Sequence, residues 1–278
     1  MESKLPFAPT RCGGVEFRWG ERTYVMGILN LSPDSFSGDG LGDDIEAAVA
    51  RARHLVEVGA DIIDVGGEST RPGCQPVSAD EELQRVIPVI KSLAGELSVP
   101  LSIDTYKSVV ASEAVKAGAG MINDVWGLKR DPKLANVAAE TGVPIILASN
   151  QEGSVYHDVM AEVISSLGKG IGQAMEAGVA WRNIIIDPGI GFGKSVAQNL
   201  EVIYCLGELR SLGRPILLGT SRKFMVGLPF AQRLEATAAT VAIGIVHGAD
   251  MVRVHDVRQM VRVCRMSDAI IRRGQGGN

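Results

Sequence analysis

The sequence predicts an α/β fold, a (β/α)8 TIM barrel with a short N-terminal hairpin. Three observations predict it: eight short apolar segments recur, each running into polar or glycine residues, most are followed by an amphipathic helical stretch, and eight such units in 278 residues have a barrel's spacing. That spacing averages roughly 35 residues per unit. The strands are predicted over 24–29, 61–65, 101–104, 120–124, 144–149, 183–187, 215–219 and 250–254. The helices are predicted over 44–58, 79–97, 106–116, 132–141, 156–177, 197–212, 231–247 and 257–272. Strand segments that are apolar on consecutive residues suit strands covered on both faces, as a parallel sheet requires. A doubly wound open sheet would carry GxGxxG after its first strand, and the turn here reads GILNLSPDSF. No internal repeat, low-complexity tract or linker divides the chain, so one barrel domain is expected over 1–278. Residues 1–23 form an extension, in which the alternating VEFRW and the turn-like GER suggest a hairpin covering the barrel's N-terminal mouth.

Composition narrows the function classes. Lys and Arg number 28 against 32 Asp and Glu, for a formal net charge of -4. A dedicated nucleic-acid binder needs a basic surface to neutralise phosphates, so that class is set aside. The longest apolar runs, such as Ile184 to Ile186, fall far short of the roughly 20 residues that span a bilayer. The opening MESKLPFAPTRCGG has no apolar core of a signal peptide, so a cytoplasmic protein is expected. Cys12, Cys74, Cys205 and Cys264 form no CxxC pair and read as reduced thiols. His54, His157, His247 and His255 are dispersed, which argues against a metal site built on histidines.

A barrel of this kind builds its site from the loops at the C-terminal ends of its strands. Those ends are polar here: Asn30 with SPDSFSGDG, GGESTRPG, Asp104-Thr105, Asn123-Asp124, Asp187 with PGIGFGK, GTSRK, and Arg253-Val254-His255-Asp256. Asp64 lies inside an apolar strand, where an unpaired charge is costly and a partner or ligand is expected. Asp34 and Ser35 are equally well read as turn caps. Asp104, Asn123 and Asp187 come from three strands and converge on one cavity. Two carboxylates and an amide there match the hydrogen-bonding edge of a flat, nitrogen-rich ring. The segment from Pro188 to Ser195 resembles a P-loop but has Pro188 where GxxxxGK[ST] requires glycine, so a nucleotide-phosphate site is rejected. Arg71, Lys223, Arg253 and His255 suit an anionic substrate or leaving group. Lys129 and Arg130 read as solvated charge.

Seven motifs in order, NLSPDSF, GGESTRPG, SIDT, INDVWG, IDPGIGFGK, GTSRK and RVHD, resemble those of bacterial dihydropteroate synthase, and the match runs from about Tyr24 to the last helix. The resemblance implies a transferase of folate biosynthesis. It would join 6-hydroxymethyl-7,8-dihydropterin pyrophosphate to p-aminobenzoate, giving 7,8-dihydropteroate and pyrophosphate. By the same resemblance Asp104, Asn123, Asp187 and Lys223 hold the pterin, with Phe192 beside it. Asn30, Arg253 and His255 hold the pyrophosphate, and Mg2+, the implied cofactor, binds at Asn30. Phe36, Thr70, Arg71 and Pro72 line the p-aminobenzoate pocket, and the catalytic set is Asp104, Asp187, Lys223 and Arg253. A homodimer is implied, with small-molecule substrates and neither nucleic acid nor membrane as partners.

Three positions depart from the family's pattern. Ala148-Ser149 stands where Met-His is usual, Gly38 where many members have Asp, and Phe224 where most have Ser. The first removes a contact on the pterin side, and the last bears on p-aminobenzoate and sulfonamides. Two other functions stay open at this point. One is a pterin-binding relative with altered or no p-aminobenzoate use. The other is a methyltetrahydrofolate-dependent methyltransferase, against which Arg253, His255 and GGESTRPG argue because that class needs no pyrophosphate site.

Overall fold

A computed structural model of the chain describes residues 7–32, 44–69, 75–153, 156–223, 229 and 232–272. Eight parallel strands form its centre: β3 (Tyr24–Asn30), β4 (Ile62–Gly66), β5 (Leu101–Asp104), β6 (Met121–Asp124), β7 (Ile145–Ala148), β8 (Ile184–Asp187), β9 (Leu217–Leu218) and β10 (Met251–Val254). They pair in the order β8-β7-β6-β5-β4-β3-β10-β9. A parallel bridge between Ile186 and Ile216 joins the two ends, so the sheet closes on itself. The (β/α)8 barrel expected from the strand count is the fold observed.

The helices follow the strands in alternation and have local reasons to start and stop. They are α1 (Ile45–Glu57), α2 (Ala79–Ala94), α3 (Ser108–Ala117), α4 (Leu134–Thr141), α5 (Val159–Glu176), α6 (Val196–Tyr204), α7 (Arg233–Val246) and α8 (Val257–Ile271). Asp44, Ser78 and Asp158 cap α1, α2 and α5 with side-chain oxygens, and Ser195 with Gln198 forms a capping box on α6. Gly142 ends α4 in the left-handed conformation at φ 72°, where a glycine carries no steric penalty. The helix expected over 197–212 is broken at Cys205: α6 stops at Tyr204 and a 3-10 segment, Leu206–Leu212, continues. Leu206 and Leu209, three residues apart, are both buried by that tighter winding.

The N-terminal hairpin exists but is built differently from the sequence expectation. Its strands are β1 (Thr10–Cys12) and β2 (Val15–Phe17), paired antiparallel around Gly13-Gly14, both at positive φ. The turn is therefore the Gly-Gly pair, whose left-handed conformation a two-residue hairpin demands. The GER segment is a turn of its own, with Gly20 and Glu21 at its centre between bridged Trp19 and Arg22, and it leads into β3. Phe17 and Trp19 are buried with Tyr24, Met26, Ile62, Met121, Ile146, Ile185, Leu217 and Met251, so the extension seals the N-terminal mouth. Thr10 ties it down by accepting from Trp19 Nε1 at 2.9 Å and donating to the Arg182 carbonyl at 2.6 Å.

Candidate active site

The barrel interior changes chemistry over a single step of the strand period. Side chains two apart on a strand face the same side. Moving two residues up from the apolar floor gives Asp64 above Ile62, Asn123 above Met121, Asp187 above Ile185 and Arg253 above Met251. The same step gives Ala148 above Ile146 and Gly219 above Leu217. Strand register places Asp104 level with both Gly66 and Asn123. Four charged side chains and an amide thus form one polar tier on an apolar base.

Arg253 is the hub of that tier. Its Nε donates to Asp64 Oδ2 and its Nη2 to Asp104 Oδ2, each at 2.6 Å. Asn123 Nδ2 donates to the same Asp64 oxygen at 2.9 Å. The other oxygens, Asp64 Oδ1 and Asp104 Oδ1, are buried and have no hydrogen-bond partner. A buried acceptor left open is costly, which marks both oxygens as places for a ligand's N–H groups. Burial pushes the Asp104 carboxyl up to about 7, reinforced by Asp64 and Glu82 and opposed by Arg253. Asp64, read from sequence as a carboxylate in need of a partner, finds it in Arg253 and belongs to the tier.

Across the cavity, Asp187 Oδ1 accepts from the Gly189 N–H at 2.7 Å. Burial raises the Asp187 pKa, against the pull of Lys223. Burial equally lowers Lys223, to about 8, although Asp187 favours its charge. Lys223 Nζ donates to the Ile190 carbonyl and lies 4.5 Å from the Phe192 ring centroid, a cation over an aromatic face. A Cβ on Gly219 would stand 3.8 Å from Asp187 Oδ2 and 4.0 Å from Lys223 Nζ, so its absence keeps this corner open. At the rim, His255 Nδ1 is 2.9 Å from Ser221 Oγ, and Arg222 grips Asp256 through Nε at 2.9 Å and Nη2 at 2.7 Å.

The structure therefore brings Asp104, Asn123, Asp187, Lys223 and Arg253 to one cavity, with Phe192 against Lys223. Asn30 ends β3, and a Cβ on neighbouring Gly66 would sit 3.8 Å from its Oδ1. Phe36, Thr70, Arg71 and Pro72 lie outside the described residues, as do Asp34, Ser35, Gly38, Asp39, Cys74 and Phe224. The base of the second of these loops is held by ions. Lys107 bonds both Glu68 and Glu82, and Arg85 Nη1 donates to the Gly67 carbonyl at 2.8 Å.

Lys194 is a site neighbour that the sequence reading passed over. Its ammonium donates to three carbonyls, those of Ser149 at 3.0 Å, Gly189 at 3.0 Å and Phe192 at 3.3 Å, and so pins the turn after β8 to the end of β7. Burial pushes it down to about 7, partly offset by Asp187 and helped by Lys223 and Lys129. Between that value and the ordinary 10.5 the unfolded chain binds the extra proton and the folded chain does not. Stability then rises with pH across this window. Lys194→Met removes the titration. The stability advantage of wild type over the variant is expected to grow from pH 7 to pH 10, by on the order of 1 kcal/mol or more. Urea denaturation at both pH values reads it, and a pH-independent difference refutes it.

Residues 26–255 match the family described as pterin binding enzyme. A dihydropteroate synthase of Clostridium beijerinckii is 51% identical over 268 residues, covering 95% of this chain and all of that one. The crystal structure of Clostridium difficile dihydropteroate synthase in the presence of pteroic acid superposes with a TM-score of 0.88 at 50% identity, covering 92% of this chain and 100% of that one. The Xanthomonas albilineans dihydropteroate synthase with 4-aminobenzoic acid gives a TM-score of 0.88 at 42% identity, covering 94% and 97%. With the polar tier in place and the likeness spanning nearly the whole chain, this protein belongs to the pterin binding enzyme family and, within it, to the dihydropteroate synthases.

Proposed function

We propose that this site condenses 6-hydroxymethyl-7,8-dihydropterin pyrophosphate with p-aminobenzoate, releasing pyrophosphate and 7,8-dihydropteroate. The observation that carries the proposal is the polar tier with its unpartnered carboxylate oxygens on Asp64 and Asp104, above a sealed apolar floor. Relatives seen with pteroic acid and with 4-aminobenzoic acid support the choice of substrates. Asp104, Asn123, Asp187 and Lys223 supply acceptors and donors for the edge of the pterin ring, and Phe192 flanks it.

The chemistry follows from charge. The bond between the methylene carbon and the diphosphate oxygen breaks with its electron pair leaving on oxygen. The arylamine lone pair forms the new C–N bond, and the amine then releases a proton. Carboxylates of Asp187 and Asp104 around the ring favour the positive charge that develops on the methylene. Neither a covalent enzyme intermediate nor a strong general base is required. Arg253 and His255 at the end of β10 face the leaving diphosphate. Two of the five Arg253 N–H groups serve the carboxylates, and the others remain for an anion. Loops 33–36 and 69–72 would cover p-aminobenzoate with Phe36, Thr70, Arg71 and Pro72, excluding the water that would otherwise capture the cation.

Mg2+ is proposed at Asn30. Among the described residues no cluster of three or more His, Cys, Asp or Glu is placed to hold a metal ion. Asn30 Oδ1, a hard amide oxygen near the Asp104 carboxylate across Gly66, could hold a magnesium, a cation that ordinarily keeps several waters and binds through few protein oxygens. Bound there, it would neutralise charge developing on the leaving group.

We also propose a homodimer in the cytoplasm. Ile243 and Val246 on α7 and Met266 and Ile270 on α8 are exposed on two helices that pack against each other. Apolar side chains gathered there suit a second copy. Val246→Glu with Met266→Glu is expected to shift sedimentation from dimer to monomer, and a wild-type monomer refutes the proposal. For the cytoplasm, Cys12, Cys205 and Cys264 are free thiols, and among the described residues no helix is long and apolar enough to cross a membrane.

Pyrophosphate release from the pterin substrate with Mg2+, measured with and without p-aminobenzoate, tests the reaction. Release that depends on p-aminobenzoate and yields dihydropteroate by mass is the expected result. Pterin binding without product would overturn it in favour of a relative that has lost condensation.

A further inference from the structure

The turn after β9 and the end of β10 are joined by two consecutive cross-links. Ser221 pairs with His255, and Arg222 with Asp256. Arg222 adopts φ 55°, rarely taken by a side-chain-bearing residue, and its backbone N–H donates to Thr237 Oγ1 at 3.0 Å. That conformation, held by the ion pair and by α7, keeps Ser221 turned toward β10. Ser221 is 6% exposed, and its Oγ makes two contacts with one residue: it accepts the His255 backbone N–H at 3.1 Å and lies 2.9 Å from His255 Nδ1.

We propose that Ser221 is a positioning residue which donates its hydroxyl proton to Nδ1, holding neutral His255 as the Nε2–H tautomer, so that the ring presents an N–H to a diphosphate oxygen. The inference rests on the reading that His255 meets the diphosphate. A hydroxyl has one proton to give, and Ser221 Oγ already accepts from the His255 main chain. Were Nδ1 to carry the proton, Oγ would accept twice from the same residue, and the hydroxyl hydrogen would have to turn away from Nδ1 in a buried place. Nε2 would then carry a bare lone pair, which repels an anion. With Ser221 as donor, both groups are satisfied and Nε2 becomes a hydrogen-bond donor at every pH, since the imidazolium also carries N–H there. The backbone contact fixes Oγ and the side-chain contact fixes the ring plane, so one serine sets both the tautomer and the aim.

Long-range proton–nitrogen NMR on the full chain with 15N-histidine tests this, with His255→Gln identifying the resonances. At high pH, where imidazoles are neutral, wild type is expected to show a protonated Nε2 and a bare Nδ1 at His255. Ser221→Ala is expected to give a mixture of tautomers, and Ser221→Thr to restore the single form. Calorimetric titration with inorganic pyrophosphate and Mg2+ is expected to weaken several-fold in Ser221→Ala and in His255→Leu, with no further loss in the double variant. A protonated Nδ1 in wild type, or an unchanged tautomer in Ser221→Ala, overturns the role of Ser221. Unchanged pyrophosphate affinity in His255→Leu, with the tautomer as expected, overturns the diphosphate reading instead and leaves the tautomer assignment supported.

Discussion

Asp187→Ala is expected to lower kcat/KM by about three orders of magnitude, equivalent to ~4 kcal/mol of transition-state stabilisation. The carboxylate has three tasks in this site. One oxygen holds the Gly189 N–H at 2.7 Å and so shapes the turn that carries Phe192. The other faces the open corner at Gly219 that Lys223 shares. Its charge also sustains that of Lys223, which burial has lowered to about 8; without Asp187 the amine falls further and loses its proton nearer neutrality. Asp187→Asn separates these contributions, because the amide oxygen can still accept from Gly189 while the negative charge is gone. A large loss in the Asn variant with the fold intact by circular dichroism assigns the effect to charge. Near-normal turnover in both variants would sink the assigned pterin site.

Arg253→Met has the second large effect, on stability as well as rate. Removing one partner from a buried ion cluster leaves the remaining charges uncompensated, at a cost of roughly 3–5 kcal/mol. Here two carboxylates, Asp64 and Asp104, lose their counter-charge together. The sign of the pH dependence follows from Asp104. Its folded pKa, already pushed up to about 7, rises further without the guanidinium. A carboxyl raised on folding adds stability at low pH, and that gain is lost as pH rises through the folded value. The destabilisation by Arg253→Met should therefore be larger at pH 8 than at pH 5, with thermal unfolding as the measurement. Arg253→Lys keeps one charge but cannot reach two carboxylates in a planar fork, so it should recover part of the stability and little of the activity. Equal loss at both pH values would mean that Asp104 does not depend on Arg253.

The strands and the ligand-facing residues were legible because polar residues interrupt apolar runs at matched places. Asp104, Asn123 and Asp187 each end a short run of apolar residues, and only a shared cavity gives three strands that ending. Pairing was not legible. Asp64 and Arg253 stand 189 residues apart, and although a closed barrel brings its first and last strands together, no local pattern says which of the converging polar side chains pair. Lys194 was hidden for a different reason: its hydrogen-bond acceptors are carbonyl oxygens, which every residue possesses, so those bonds leave no mark on side-chain identity. The turn expected at GER is present at Gly20-Glu21, but the strand pair β1–β2 turns one segment earlier, at Gly13-Gly14, which supplies the two positive φ angles needed. The break at Cys205 reflects tertiary burial of Leu206 and Leu209, which overrides a continuous helical pattern.

The grip of Lys194 also bears on how this site can diverge. Its anchor at the end of β7 is the peptide oxygen of residue 149, whatever side chain that residue carries. Selection on the anchor therefore leaves the letter at 149 free, and the Ala148-Ser149 pair can drift from Met-His without detaching the turn that bears Phe192.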